Sequence, residues 1–267
     1  MTEAYPPNWA PQRSFADGRI GLAVEAGIAT LAISIPQKMN ALDVEATAGM
    51  IEALEVAEAE ARVLILTGLG GRAFISGADI GGFDGPKQHG TSFLDRQRRL
   101  AETPLPTIAA IRGYCIGGGL MTALNCDIRL AATDAQFGVP AAKLGIAYGH
   151  EGLARLVEAA GAARARRLLY AGDRVDAQTA LAWGLVEHVL PPERLWDEAM
   201  DLARRIASNA PLSIHATKRT VAQIVGDPDA RDPAEIERLS RLCRDSDDFR
   251  EGRAAFHEKR QPNFTGR

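Results

Sequence analysis

The hydrophobic rhythm of the chain changes about halfway along. In the first half, short apolar runs alternate with helix-like stretches. Residues 19–25 alternate apolar and polar positions loosely, as a half-buried strand does. Residues 29–35 (ATLAISI) form a second apolar run that Pro36 ends. The short break between them contains Gly27 and predicts a hairpin. Over 43–61, Met50, Ile51, Leu54 and Ala57 recur three and four apart with glutamates between them, the period of an amphipathic helix. Asp43 stands before it as an N-cap. The run VLILT at 63–67 lacks polar alternation and predicts a buried strand, ended by Gly68, Gly70 and Gly71. After Phe74 to Ile80 comes a polar, glycine-rich stretch to Gly90, with the composition of a mobile loop.

A helix over 91–102 and a short buried strand over 107–111 follow. Gly117, Gly118 and Gly119 open a further helix that runs through Leu124, and 127–131 is another strand. Residues 137–149 are irregular and rich in small side chains. From Gly152 the pattern is mostly helical: 153–160, 162–171, 177–183, 192–208 and 212–225, with a short strand over 186–190. Residues 233–259 form a long charged helix, or a pair broken near Asp245. Strands mixed with helices early and helices alone late predict an α/β core followed by a helical region.

Composition narrows the class. A chain of 267 residues with 46% apolar and 24% charged residues is an ordinary globular protein, one large domain or two small ones. Its 31 Lys plus Arg against 34 Asp plus Glu lack the basic excess of a general nucleic-acid binder. No apolar run approaches the roughly 18 residues of a membrane span. The proline-containing start is not a signal peptide. Cys115, Cys126 and Cys243 form no CxxC pair and are odd in number, which suggests buried free thiols in a reducing cytoplasm.

Several chemical motifs are absent. No Gly-Lys dipeptide offers a phosphate loop. His150-Glu151 and His257-Glu258 begin like HExxH, but the fifth positions are Ala154 and Gln261. No GxSxG surrounds any serine, and the His and Cys residues are too scattered to predict a metal site. Two glycine-rich turns remain: Ser76-Gly77-Ala78-Asp79, and Gly117-Gly118-Gly119 between a strand and a helix. Backbone N–H groups at such turns point outward, and a helix N-terminus adds partial positive charge. Tiny side chains let a ligand approach that backbone. Either turn alone reads equally well as a tight turn without a ligand. A dinucleotide site lacks its acidic residue about 20 positions on.

The two turns with their flanks resemble the enoyl-CoA hydratase/isomerase (crotonase) family, over nearly the whole chain. Pro36-Gln37-Lys38-Met39-Asn40-Ala41-Leu42 is similar to that family's N-terminal signature. Gly71 to Ile80 is similar to its first oxyanion turn, Gly113 to Asp127 to its second, and Glu251 to Phe264 to its C-terminal tail. The resemblance implies a ββα spiral core, drawn at 1–195, and a C-terminal helical oligomerisation region at 196–267. It implies an acyl-CoA thioester as substrate, with no cofactor beyond the coenzyme A that the substrate carries, and a homotrimer or homohexamer. The N–H groups of Ala78 and Gly118 would then hold the thioester oxygen as an enolate develops, and one such donor is typically worth roughly 3–4 kcal/mol. The CoA body would lie along Gln37, Lys38 and Met39 and along Ser76, Ala78, Asp79 and Ile80. Phe256 and Lys259 match tail positions that reach the nucleotide end of CoA, often from a neighbouring subunit.

The chain departs from the hydratase pattern where that family carries two catalytic glutamates: here Met121 and Ala141 stand, and neither transfers a proton. Tyr148, His150 and Glu151 are the substitutes nearest in sequence, His150 first because imidazole titrates near neutrality. Asp79 mainly shapes its turn, and Asp84 and His89 are weaker candidates. Two functions therefore stand: an enzyme on CoA thioesters with a non-standard acid or base, or an acyl-CoA-binding protein without chemistry. A nicotinamide-dependent dehydrogenase rests on the glycines alone.

Overall fold

The computed structural model describes residues 5–78 and 89–267. The expected mobile stretch lies largely outside them, as do Asp79, Ile80 and Asp84. The longer strands are β2 (Ile20–Glu25), β3 (Ile28–Ile33), β4 (Val63–Gly68), β6 (Thr107–Ile111) and β8 (Ile128–Ala132). With β1 (Arg13–Phe15) and β11 (His188–Leu190) they form one sheet, in the order β1-β2-β3-β4-β6-β8-β11. The hairpin β2–β3 is antiparallel, and β3, β4, β6, β8 and β11 run parallel. Parallel strands are covered on both faces, which is why VLILT shows no alternation.

A second sheet, not foreseen as strands, joins β5 (Ala73–Ile75), β7 (Tyr114–Ile116), β9 (Gln136–Gly138) and β10 (Arg174–Asp176), in the order β10-β9-β7-β5. Its parallel order β5-β7-β9 repeats β4-β6-β8 of the large sheet. Each turn of chain therefore lays one strand in the large sheet and the next in the small one. A helix then returns the chain: α2 (His89–Glu102) after β5 and α3 (Gly118–Leu124) after β7. This is the ββα spiral of the crotonase fold.

Helix α1 (Val44–Glu60) begins where the sequence sets it, with the Asp43 carboxylate accepting from the Ala46 N–H at 2.8 Å. Helix α4 (His150–Ala171) contains a kink at Gly161, φ 77°, between the two segments read from sequence. After α5 (Ala177–Trp183), α6 (Pro192–Ala207) buries Leu195, Ala199 and Ala203 against Ile28, Val63, Ile65 and Ile108 of the large sheet. The 195/196 division falls inside that helix. Helices α7 (Pro211–Val225), α8 (Pro233–Asp245) and α9 (Asp247–Glu258) complete the chain. Ser246 caps α9 by accepting from the Phe249 N–H, which fixes the break near Asp245. Lys218 of α7 ties this region to the core, donating to the Leu105 carbonyl and to Asp127. Cys115 and Cys126 are buried free thiols, and burial pushes Cys126 up to about 12. Among the described residues no helix is long and apolar enough to cross a membrane.

Candidate active site

The site lies where β3 and β4 end. There Pro36–Lys38 form a single 3-10 turn, and Met39 and Asn40 take left-handed backbone. Asn40 is fully buried and holds this bend with three hydrogen bonds. Its Oδ1 accepts from the Ile35 N–H, and its Nδ2 donates to the carbonyls of Leu69 and Ala73 at 3.0 and 2.7 Å. Asn40 lies inside the Pro36–Leu42 motif, and its structural role emerges only from these bonds. Its signal was a short polar residue, tolerant of positive φ, amid an apolar stretch.

The bend then pairs with the first glycine turn. The Ser76 N–H donates to the Met39 carbonyl at 3.2 Å, and the Leu42 N–H to the Gly77 carbonyl at 3.0 Å. Leu42 and Ala78 form a parallel bridge. Such a bridge bonds Leu42 through the neighbours of Ala78, so the N–H of Ala78 itself turns away from the pairing. Two of the three segments assigned to CoA, 37–39 and 76–78, are thus side by side. Gln37 and Lys38 are exposed, and Met39 is half-buried.

The second turn is set against the first by the pairing of β5 with β7. Gly117 has φ 56° and ψ −118°, a conformation open only to glycine, and its N–H donates to the Gly138 carbonyl. Gly118 begins α3, so its N–H belongs to the first helical turn and has no acceptor within the helix. A Cβ on Gly119 would stand 2.0 Å from the Ile75 carbonyl oxygen. Only glycine lets α3 press on β5 so closely. The edge of Phe93, on α2, lies 2.9 Å from where a Gly118 Cβ would be.

Met121 and Ala141, expected as the wall of the site, are both buried, at 1% and 6% exposure. Of the three proton-transfer candidates, the structure brings one to the glycines. The Tyr148 hydroxyl is 3.4 Å from the position of a Gly117 Cβ. Tyr148 is half-buried against the core, and desolvation raises its pKa above the ordinary phenol value. It therefore carries its proton at every physiological pH. His150 is exposed at the start of α4. Glu151 is exposed and held by Arg98 at 2.6 and 3.1 Å. That pair lowers its pKa below the ordinary carboxylate value. His89 opens α2, and its side chain lies outside the described ones.

Phe256 and Lys259 are exposed on α9 and its C-cap. The tail beyond them returns to Arg62, whose Nη2 donates to the Phe264 carbonyl at 2.9 Å. Arg62 precedes β4, whereas Ser76 to Ala78 follow its far end. A six-residue strand spans about 20 Å. Within one protomer the tail therefore sits at the opposite end of β4 from the glycine turns.

Comparison with known proteins identifies the family. The family model for enoyl-CoA hydratase/isomerase matches residues 23–267. The chain is 37% identical to (E)-benzylidenesuccinyl-CoA hydratase of Thauera aromatica, covering 92% of this chain and 99% of that protein. It is 34% identical to crotonyl-CoA hydratase of Syntrophomonas wolfei, covering 91% and 96%. Among solved structures, an enoyl-CoA hydratase/carnithine racemase from Magnetospirillum magneticum superposes with a TM-score of 0.88 at 38% identity, covering 93% and 96%. The chain belongs to the enoyl-CoA hydratase/isomerase family. It is an acyl-CoA enzyme of that family.

Proposed function

We propose that this protein hydrates a conjugated enoyl-CoA, using two backbone N–H donors and a tyrosine in place of paired carboxylates. The thioester oxygen sits between the N–H groups of Ala78 and Gly118, and CoA runs along Gln37, Lys38 and Met39. The observation that carries this reading is the Tyr148 hydroxyl beside the second glycine turn, 3.4 Å from the position of a Gly117 Cβ.

The protonation state of Tyr148 chooses the direction of chemistry. Isomerisation starts by removing a proton from carbon, which a protonated phenol does not do. Hydration ends by delivering one. Two N–H donors polarise the thioester, hydroxide from water adds at C3, and electrons move to the thioester oxygen as an enolate. The two transfers are concerted: as the water oxygen bonds to C3, Tyr148 gives its proton to C2 of the developing enolate, and the phenoxide so formed takes the proton that the water releases. The hydratase names of the relatives at 37% and 34% identity point the same way.

The test is a mass and absorbance assay on enoyl-CoA esters of different lengths and double-bond positions. Water is expected to add to conjugated esters. Tyr148→Phe should lower kcat by about 10²–10⁴-fold, the usual worth of a positioned acid. His150→Ala should leave it within twofold. Full activity in Tyr148→Phe removes the tyrosine from the mechanism. Tight binding with no turnover across the panel would favour the acyl-CoA-binding protein instead.

Assembly into a trimer or a pair of trimers belongs to the same proposal. Val221, Ile224 and Val225 of α7, and Phe249 and Phe256 of α9, are exposed apolar side chains. A neighbouring copy would cover such faces and bring Phe256 and Lys259 to a CoA that this protomer's own tail does not reach. A monomer on a sizing column would contradict it.

A further inference from the structure

Arg96 is buried, at 3% exposure, in the layer between α1, α2 and α3. Its partners among the described residues are neutral. Nη1 donates to the Thr47 hydroxyl at 3.0 Å and Nη2 to the Thr122 hydroxyl at 3.3 Å. The guanidinium carbon lies 5.1 Å from the Phe93 ring centroid. Nε is buried with no hydrogen-bond partner. Desolvation lowers its pKa to about 10, so it stays charged at neutral pH. Burying a cation without a counter-charge is costly, and a buried group left part-satisfied calls for a reason.

The contacts of Arg96 lead to one residue by two routes. The Thr122 hydroxyl accepts from Arg96 and from Gln97 Nε2 at 3.1 Å, so its own hydrogen is directed to the Gly118 carbonyl at 2.8 Å. Phe93, under the same guanidinium, sets its ring edge where a Gly118 Cβ would stand. Thr122 thus fixes the peptide after Gly118, and Phe93 fixes its face.

We infer that Arg96 is a positioning residue for the Gly118 donor, and that its buried positive charge behind the turn favours negative charge on the acyl oxygen. This rests on the enolate reading above. Simple cross-linking of three helices would need only neutral hydrogen bonds; a cation with no counter-charge among the described residues adds a field that a neutral link lacks. That field strengthens binding only when the ligand carries charge at the oxygen.

The experiment compares two CoA esters on the intact protein. Acetoacetyl-CoA loses its C2 proton to buffer and becomes an enolate that absorbs in the near ultraviolet. Butyryl-CoA stays neutral at the acyl group. Arg96→Met is expected to weaken acetoacetyl-CoA binding tenfold or more and to lower the bound enolate absorbance. Butyryl-CoA binding should stay within twofold. Arg96→Lys, which keeps the charge, should recover a large part of the absorbance. Equal losses for both esters would reduce Arg96 to a structural tie, and an unchanged enolate signal would overturn the inference outright. If Arg96→Met does not fold, Thr122→Val cuts the link from the guanidinium to Gly118. It should lose part of the enolate signal selectively, and no change there also sinks the proposal. A wild-type protein that binds butyryl-CoA but never shows an enolate would instead bring down the enolate reading itself, and this inference with it.

Discussion

The two sheets of this protein divide the labour unevenly. The large sheet has five- and six-residue strands at its centre, such as β3 and β4, in which every residue is buried. It supplies most of the packing and contributes no candidate catalytic side chain. The small sheet has strands of three residues each; it buries Phe74, Ile75 and Phe137, and both glycine turns grow from it. One sheet holds the molecule together and the other holds two turns in register. Stability and site geometry should therefore respond to different substitutions.

The largest effect is expected where α3 packs on the small sheet. In Gly119→Ala the new Cβ would meet the Ile75 carbonyl oxygen, at 2.0 Å, and backbone cannot swing aside as a flexible side chain does. Overpacking of this kind costs about 3 kcal/mol or more at its upper end. A shift of about 1 Å between α3 and β5 would cost about 10²-fold in turnover. Denaturation and a turnover assay check both, and wild-type values would show that the two turns are not held by this approach.

Ile65→Ala makes the opposite test. Ile65 is fully buried on the face of the large sheet that α6 covers, away from the glycine turns. Removing it should cost about 2–5 kcal/mol, the range for a large side chain cut back in a core. Turnover per folded molecule should stay within twofold. A parallel loss of turnover would mean that the large sheet transmits its packing into the site and that the division is false.

The same contrast explains what was legible in the sequence. The long strands announce themselves, because a buried strand needs several consecutive apolar residues, as 63–67 and 107–111 show. Pro36 and Gly161 mark boundaries through their backbone chemistry and Asp43 through its capping carboxylate, and the structure places breaks at each. The small sheet escaped, since three residues such as Tyr114–Ile116 hold barely one period of alternation. Its turns were found through glycine, which reports backbone geometry rather than burial. Arg96 was not legible at all. An arginine in the charged run Asp95-Arg96-Gln97-Arg98-Arg99 looks like a solvated helix face, and only the packing of α1 and α3 shows which of the three arginines is buried.

Glu151 gives the smallest expected effect and sharpens the boundary of the site. Sequence places it one position from His150 and three from Tyr148, so it reads as an equal candidate. Three-dimensional placement separates them. Arg98 binds both carboxylate oxygens while about half of each side chain remains in water. Exposed pairs of this kind add little to stability. The lowered pKa gives the pair a definite sign. Its contribution is present above the range of an unfolded carboxylate and fades as pH falls through the lowered folded value. Glu151→Gln should therefore leave turnover within twofold and the neutral-pH melting temperature unmoved. Any difference from wild type should vanish in acid, where the wild-type carboxyl is also neutral. A tenfold loss of turnover would instead bring Glu151 into the chemistry. The reaction would then depend on a carboxylate at the rim of the site, and the backbone frame with its half-buried tyrosine would not be sufficient.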